Sequence, residues 1–318
     1  MTITRRAVVG LAAVTAFTGL IRGAAAFPDK PIDYIVPFTP GGESDIAARL
    51  QQPFFKEKFG QELVVSYDPG DGGAAAWARL NSLKGDGYTI MGVNLPHIVL
   101  QPAERTPGYK TEDIETVYWF HYTPDAIVVK ADSPFQTLQA LIDYAVANPG
   151  KLIFSGSGKA TANNLAQVRF DRMAGIQTNY VAFKGTGASN TALLGDQVQA
   201  SWGFTTSATT IGAQSRILAV ATEERHPKYP EVPTFKELGF PLVSGAYRGI
   251  AVPKSTPERI KRQLSDMIGK VNADPEFRAR MTDGGFVVVD IPLSKNAAFM
   301  KEKTEEYLTA AREGGIVN

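Results

Sequence analysis

From Phe27 onward, short apolar runs of strand length alternate with stretches whose apolar residues recur at helical spacing. YIVPF (34–38), a helix from Ser44 to Phe59, ELVVSY (62–67), a helix near Ala74 to Lys84 and YTIMGVN (88–94) read as a β-α-β-α-β series. A second series follows. Leu138, Leu141, Ile142, Ala145 and Val146 form a helical stripe stopped by Asn148, Pro149 and Gly150. Then come the strand KLIFS, the turn GSGKAT, a helix to about Met173, NYVAF, the turn KGTGAS, a short helix, QVQASWG and RILAVAT. Strands alternating with helices imply parallel, doubly wound sheets.

Two stretches read as connections between these series: the aromatic, β-prone 116–134 and the proline-rich 223–234. Beyond the second, YRGIAVPKSTPERI predicts a strand and then a helix with Thr256 as N-cap and Pro257 at its first position, burying Ile260, Leu264, Ile268 and Val271. Nothing after Pro253 makes a third sheet, so this part is expected to fold back onto the first unit. The expectation is two α/β lobes, 27–125 with 235–318 and 126–234, joined by two crossovers around a ligand cleft.

Composition narrows the class. Of 318 residues 20% are charged and 44% hydrophobic, enough for a large buried core, and the formal charge of +1 supplies no field for nucleic acid or anionic lipid. Arg5 and Arg6, an apolar run from Ala7 to Ile21 and Ala24–Ala26 read as an export signal over residues 1–26. The run is short for a membrane span, so no direct membrane insertion is expected once it is removed, and a periplasmic location follows. Whether export uses the twin-arginine or the general route is open. Losing Arg5, Arg6 and Arg22 lowers the formal charge by three, from +1 to −2. The chain has no cysteine, hence no disulfide frame and no thiolate metal site or nucleophile.

Candidate binding chemistry collects at three turns. In FTPGGESD, the backbone of Phe38, Thr39, Pro40, Gly41 and Gly42 and the hydroxyl of Ser44 sit between a strand and a helix N-terminus, where free N–H groups receive an anion; Ser44 or Asp45 is expected to cap the helix. SGSGKATANN is neither a P-loop, since Ile153 and Ala160 break that pattern, nor a dinucleotide fingerprint, since Thr161 stands at the third glycine position. Its Ser155, Ser157, Thr161 and Asn163 remain donors for an anion across the cleft. The third turn offers Lys184, Gly185, Thr186, Gly187 and Ala188. Arg248, in an apolar strand, needs either a ligand carboxylate or an internal Asp or Glu. Phe204, Trp77, Trp119, Trp202 and the run Phe120–Tyr122 leave room for an aromatic ligand. His97, His121 and His226 have no metal-binding spacing, there is no G-x-S-x-G elbow, and Glu43, Asp45 and Asp71 are scattered, so neither enzyme, metal nor cofactor is expected.

PFTPGGESDIAARL resembles the PFPPGG-x-x-D-x-x-AR segment of the periplasmic substrate-binding receptors of tripartite tricarboxylate transporters. DPGDGG, GDGYTI, FKGTGA, LLGDQVQA, RILAVAT and YPEVPTFKELGF resemble further segments of that family in its own order, over nearly all of the chain beyond residue 26. The resemblance implies a two-lobed binding protein that closes on a small organic carboxylate, mono- or dicarboxylate, and delivers it to membrane permease subunits. A membrane sensor is the alternative partner, and an aromatic carboxylate the alternative ligand. Departures at Tyr67-Asp68, Asp71, Gln199-Ala200-Ser201 and YRGIAV bear on the ligand rather than on the fold.

Overall fold

The computed structural model describes residues 27–317, and the expected export signal lies outside the described residues. The first series is β1 (Ile32–Val36), α1 (Glu43–Phe59), β2 (Leu63–Tyr67), α2 (Ala74–Arg79), β3 (Thr89–Leu95) and α3 (His97–Glu104). It is followed by β4 (Glu115–Lys130), α4 (Leu138–Ala147), β5 (Ile153–Gly156), α5 (Ala162–Ala174), β6 (Asn179–Ala182), α6 (Thr186–Leu194), β7 (Ala200–Phe204), α7 (Thr205–Ile211) and β8 (Ser215–Val220). The last elements are β9 (Gly245–Val252), α8 (Glu258–Asn272), α9 (Pro275–Asp283), β10 (Val287–Pro292) and α10 (Leu293–Gly314).

The β-prone stretch expected as the first connection is the 16-residue strand β4, which belongs to both sheets. Its residues 115–124 pair antiparallel with β9, and β10 pairs alongside; residues 125–130 pair antiparallel with β7 and β8. Pro124, without an N–H, sits where the partners change. The expected parallel pairings hold for β2-β1-β3 and β6-β5-β7, while β9, β10 and β8 make the sheets mixed. A helix between strands returns the chain in parallel; β9 and β10 arrive from other directions and pair antiparallel.

Each sheet has its own core in this two-domain, mixed α/β fold. The largest hydrophobic cluster draws on residues 32–120 and 250–317 together with Ala160 and Leu165, and a second on residues 127–242. In the second, Trp202 and Phe235 stack with centroids 5.5 Å apart, and Leu242 is buried beside them. Beyond residue 235, the expected point of return, the chain stays with this core through Leu242, and the Ser244 carbonyl accepts from Asp125 N–H. The helix after Pro253 buries Ile260, Leu264, Ile268 and Val271 as its spacing predicts and packs on β4 and α1. Its N-cap is Pro257 rather than Thr256, whose hydroxyl is buried without a partner among the described residues.

Candidate functional site

β1 delivers the chain into the turn Phe38–Gly42, where Gly41 takes φ +76°, a conformation that favours glycine. α1 begins at Glu43 with Gly42 as N-cap and no capping side chain, so neither Ser44 nor Asp45 is the cap. Asp45 is structural in another way: Oδ2 accepts from Gly41 N–H at 2.8 Å, and Oδ1 from Arg49 Nε at 2.7 Å and Tyr67 OH at 2.8 Å. Tyr67, one of the family departures, is thus used to brace this turn.

The turn meets the third candidate turn directly. Thr39 donates to the Lys184 carbonyl through its N–H at 3.3 Å and its hydroxyl at 3.2 Å, and Glu43 N–H donates to Thr186 Oγ1 at 3.0 Å. The N-termini of α1 and α6 therefore abut, and both carry partial positive charge and free N–H groups. Lys184 enters only by its carbonyl; its side chain is exposed. A Cβ on Gly187 would lie 2.9 Å from the Pro40 carbonyl oxygen, so glycine is what permits this approach. A second pair of turns closes beside the first, with Gly158 so near Gly72 that a Cβ would lie 2.9 Å from the Gly72 Cα. Gly187→Ala is expected to hold the turns apart at about 1–3 kcal/mol, the usual cost of overpacking. The check is a larger radius of gyration than wild type in solution scattering; an unchanged radius would contradict the contact.

Behind the seam lies a buried polar centre. Arg248, on β9, donates through Nη2 to Glu43 Oε2 and through Nη1 to the Ala246 carbonyl at 3.2 Å. The Asn94 amide, oriented with its oxygen toward the guanidinium, accepts from Nε at 3.0 Å. The guanidinium carbon stands 4.7 Å from the centroid of the Phe204 ring. Glu43 also accepts from the Thr123 hydroxyl through Oε1. Of the two partners left open for Arg248, the structure contains the internal one. Burial raises the Glu43 pKa, with Arg248 opposing, and burial lowers that of Arg248, with Glu43 opposing. Both shifts favour the neutral forms, so desolvation outweighs the attraction between the two.

Asp125 is fully buried nearby and held by Asn163 Nδ2 at 2.9 Å and Ser244 Oγ at 2.7 Å. Burial, the largest cause, pushes its pKa up to about 7. His97 and His121 are buried as well, and burial first, Arg248 second, hold both pKa values well below the ordinary range, so both are neutral. His97 Nδ1 and His121 Nε2 have no hydrogen-bond partner among the described residues.

The remaining candidates divide by role. Ser157 donates to Asn163 Oδ1 at 2.6 Å, so these two orient Asp125. Thr161 caps α5 and donates to the Gly158 carbonyl at 2.9 Å. Ser155 belongs to a buried serine cluster, its Oγ accepting from Ser189 Oγ at 2.8 Å, with Ser201 Oγ 3.1 Å beyond Ser189. Ser44 is half-buried at the α1 N-terminus, and Thr39, Pro40, Gly41, Gly187 and Ala188 line a groove of about 440 Å³ outside the seam. Trp77, Trp119 and Trp202 are core residues at 1% exposure or less, and Phe204, equally buried, meets the site through the Arg248 guanidinium over its ring. Sequence reasoning missed Glu43 and Asp125 as members of one cluster. Glu43 directly follows the glycine turn, and Asp125 interrupts an apolar run, which is the signal each offered.

Residues 47–316 match the family described as tripartite tricarboxylate transporter family receptor. A Cupriavidus necator relative, the UPF0065 protein in the gbd 5' region, is 32% identical over 275 residues, spanning 85% of this chain and 84% of its own. Protein BugT of Bordetella pertussis is 28% identical over 97% of both chains. Among solved structures, the periplasmic binding protein BugD superposes with TM-score 0.86 at 25% identity, over 92% of this chain and 99% of its own. An R. palustris protein solved with adipate has the same TM-score and coverage at 24% identity. MatC from Rhodopseudomonas palustris, with bound malate, gives 0.82 at 24% identity, over 89% and 99%.

Proposed function

Because the chain belongs to the tripartite tricarboxylate transporter receptor family, we propose that it is a periplasmic receptor that closes on a small organic carboxylate and delivers it to a membrane permease. The family and fold are those of substrate-binding receptors rather than of enzymes, and in this reading the ligand leaves unchanged. The lobes that move are 27–125 with about 244–318, and 126–243. Among the described residues no helix is long and apolar enough to cross a membrane, so the permease supplies the passage.

The observation that carries the proposal is the meeting of the α1 and α6 N-termini in front of the buried Arg248. Two like partial charges and a guanidinium converge there, and the Glu43 carboxylate occupies the place of an anion. Opening frees the Thr186 hydroxyl and the Glu43 N–H from each other, beside the N–H groups of Gly42 and of Thr186 to Ala188. A ligand carboxylate takes these groups, and Glu43 gives up part of its hold on Arg248. With Trp77, Trp119, Trp202 and Phe204 all buried and offering no open ring face, an aliphatic acid fits better than an aromatic one.

Mature protein, unfolded, dialysed and refolded to strip any bound ligand, is to be screened by thermal shift against organic acids, with adipate and malate first. A ligand of the folded state stabilises it by about 2.7 kcal/mol at a hundred times its dissociation constant. Absence of any shift across the acids would contradict the proposal. Ser44→Ala and Thr186→Ala should each weaken binding by about 0.5–3 kcal/mol, the range for a hydrogen bond to a charged group. If neither changes the affinity in calorimetry, the carboxylate is bound elsewhere.

A further inference from the structure

On the face of the crossover strands opposite Arg248 lies a cavity of about 360 Å³, within the size range of small-ligand sites. Successive residues of a strand point to opposite faces, so while Arg248 faces the seam, its neighbour Tyr247 faces this cavity, beside Tyr122 of β4. Tyr307 of α10 completes a set of three phenols lining one space. The Tyr122 and Tyr247 rings stand 4.8 Å apart. Each phenol must seek a partner when half-buried or buried, yet none of the three hydroxyls bonds any group among the described residues.

The cavity is lined by two cations, Arg169 and Lys303, and two carboxylates, Glu223 and Glu306, and both carboxylates are already paired. Lys303 pairs with Glu306 at 2.6 Å and Glu302 at 3.3 Å, and Glu223 pairs with Lys236. Arg169, on α5, has no carboxylate within ion-pair distance among the described residues; its one bond is Nη1 to the Val243 carbonyl at 3.4 Å. Leu165, Ala221 and Val243 supply apolar wall. Three unused phenol donors, one guanidinium without a carboxylate in ion-pair distance and an apolar wall together match an anion with an apolar body.

We propose that this cavity is a second ligand site, for a small organic monocarboxylate whose carboxylate meets Arg169 and the phenol hydroxyls while its body lies against Tyr122 and Tyr247. Its walls come from both lobes, α5 on one side and α10 on the other, so an occupant there spans the pair that must move when the cleft opens. The site shares no residue with the seam around Thr186.

Benzoate is the probe, titrated by calorimetry into the full mature protein. Arg169→Ala is expected to weaken benzoate by about tenfold or more, as loss of a hydrogen-bonded charge does, and Tyr247→Phe several-fold, while Thr186→Ala leaves it unchanged. Should Arg169→Ala fail to fold by circular dichroism, Tyr247→Phe and Tyr307→Phe, which remove one oxygen each, carry the test. Benzoate binding that survives these changes, that is lost in Thr186→Ala, or that is absent at millimolar concentration overturns the proposal.

Discussion

Arg248→Ala is expected to destabilise the folded protein by about 3–5 kcal/mol, because it leaves the Glu43 carboxylate buried with no compensating charge. The Thr123 hydroxyl still donates to Glu43, but one neutral donor does not replace a guanidinium. The loss is read as a lower midpoint in urea unfolding with an unchanged slope. Glu43→Gln combined with Arg248→Met removes both charges and keeps similar volume, and should recover more than half of it. That recovery follows from the cost of taking two charges out of water, which uncharged residues of similar volume do not incur. A loss below about 1 kcal/mol, the usual worth of an exposed pair, would contradict the burial of this centre.

Asp125→Asn is expected to change how stability depends on pH. The Asp125 pKa in the folded protein, about 7, lies above its unfolded value, so the folded state binds the proton more tightly. Its contribution favours folding below the unfolded value and is lost as pH rises toward 7, by up to about 4 kcal/mol at 1.36 kcal/mol per unit. Glu43, also raised, acts with the same sign, whereas His97 and His121, lowered, act against folding as pH falls below their ordinary range. The difference between variant and wild type isolates Asp125. Asparagine keeps a partner for Asn163 and Ser244, so the variant should gain stability on wild type steadily between pH 4 and 7. A constant difference across that range would mean that Asp125 does not titrate there.

The alternation of apolar runs made the two series legible, because a strand buried on both faces and a helix with one apolar stripe leave different periods. The stripe Ile260, Leu264, Ile268 and Val271 was readable for the same reason. β4 was not: an aromatic run that changes sheets at Pro124 looks like a connection, since period alone does not say which neighbours a strand has. At the site, the turns were visible through glycine and hydroxyl residues, but the partners of their side chains were not. Ser155, Ser157, Thr161 and Asn163 offered donors on paper; in the structure Ser157 donates to Asn163, Thr161 to Gly158 and Asn163 to Asp125, while Ser155 accepts from Ser189. Glu43 and Arg248 lie 205 positions apart, a separation across which spacing carries no information.

The most direct test is a crystal structure of the refolded mature protein grown with the acid giving the largest thermal shift. The account predicts a ligand carboxylate between the 39–44 turn and Thr186 to Ala188, within hydrogen-bond reach of backbone N–H groups from both, with Glu43 displaced from its present hold on Arg248. A ligand bound away from those turns, with the Glu43–Arg248 pair and the Glu43–Thr186 contact intact, would contradict it.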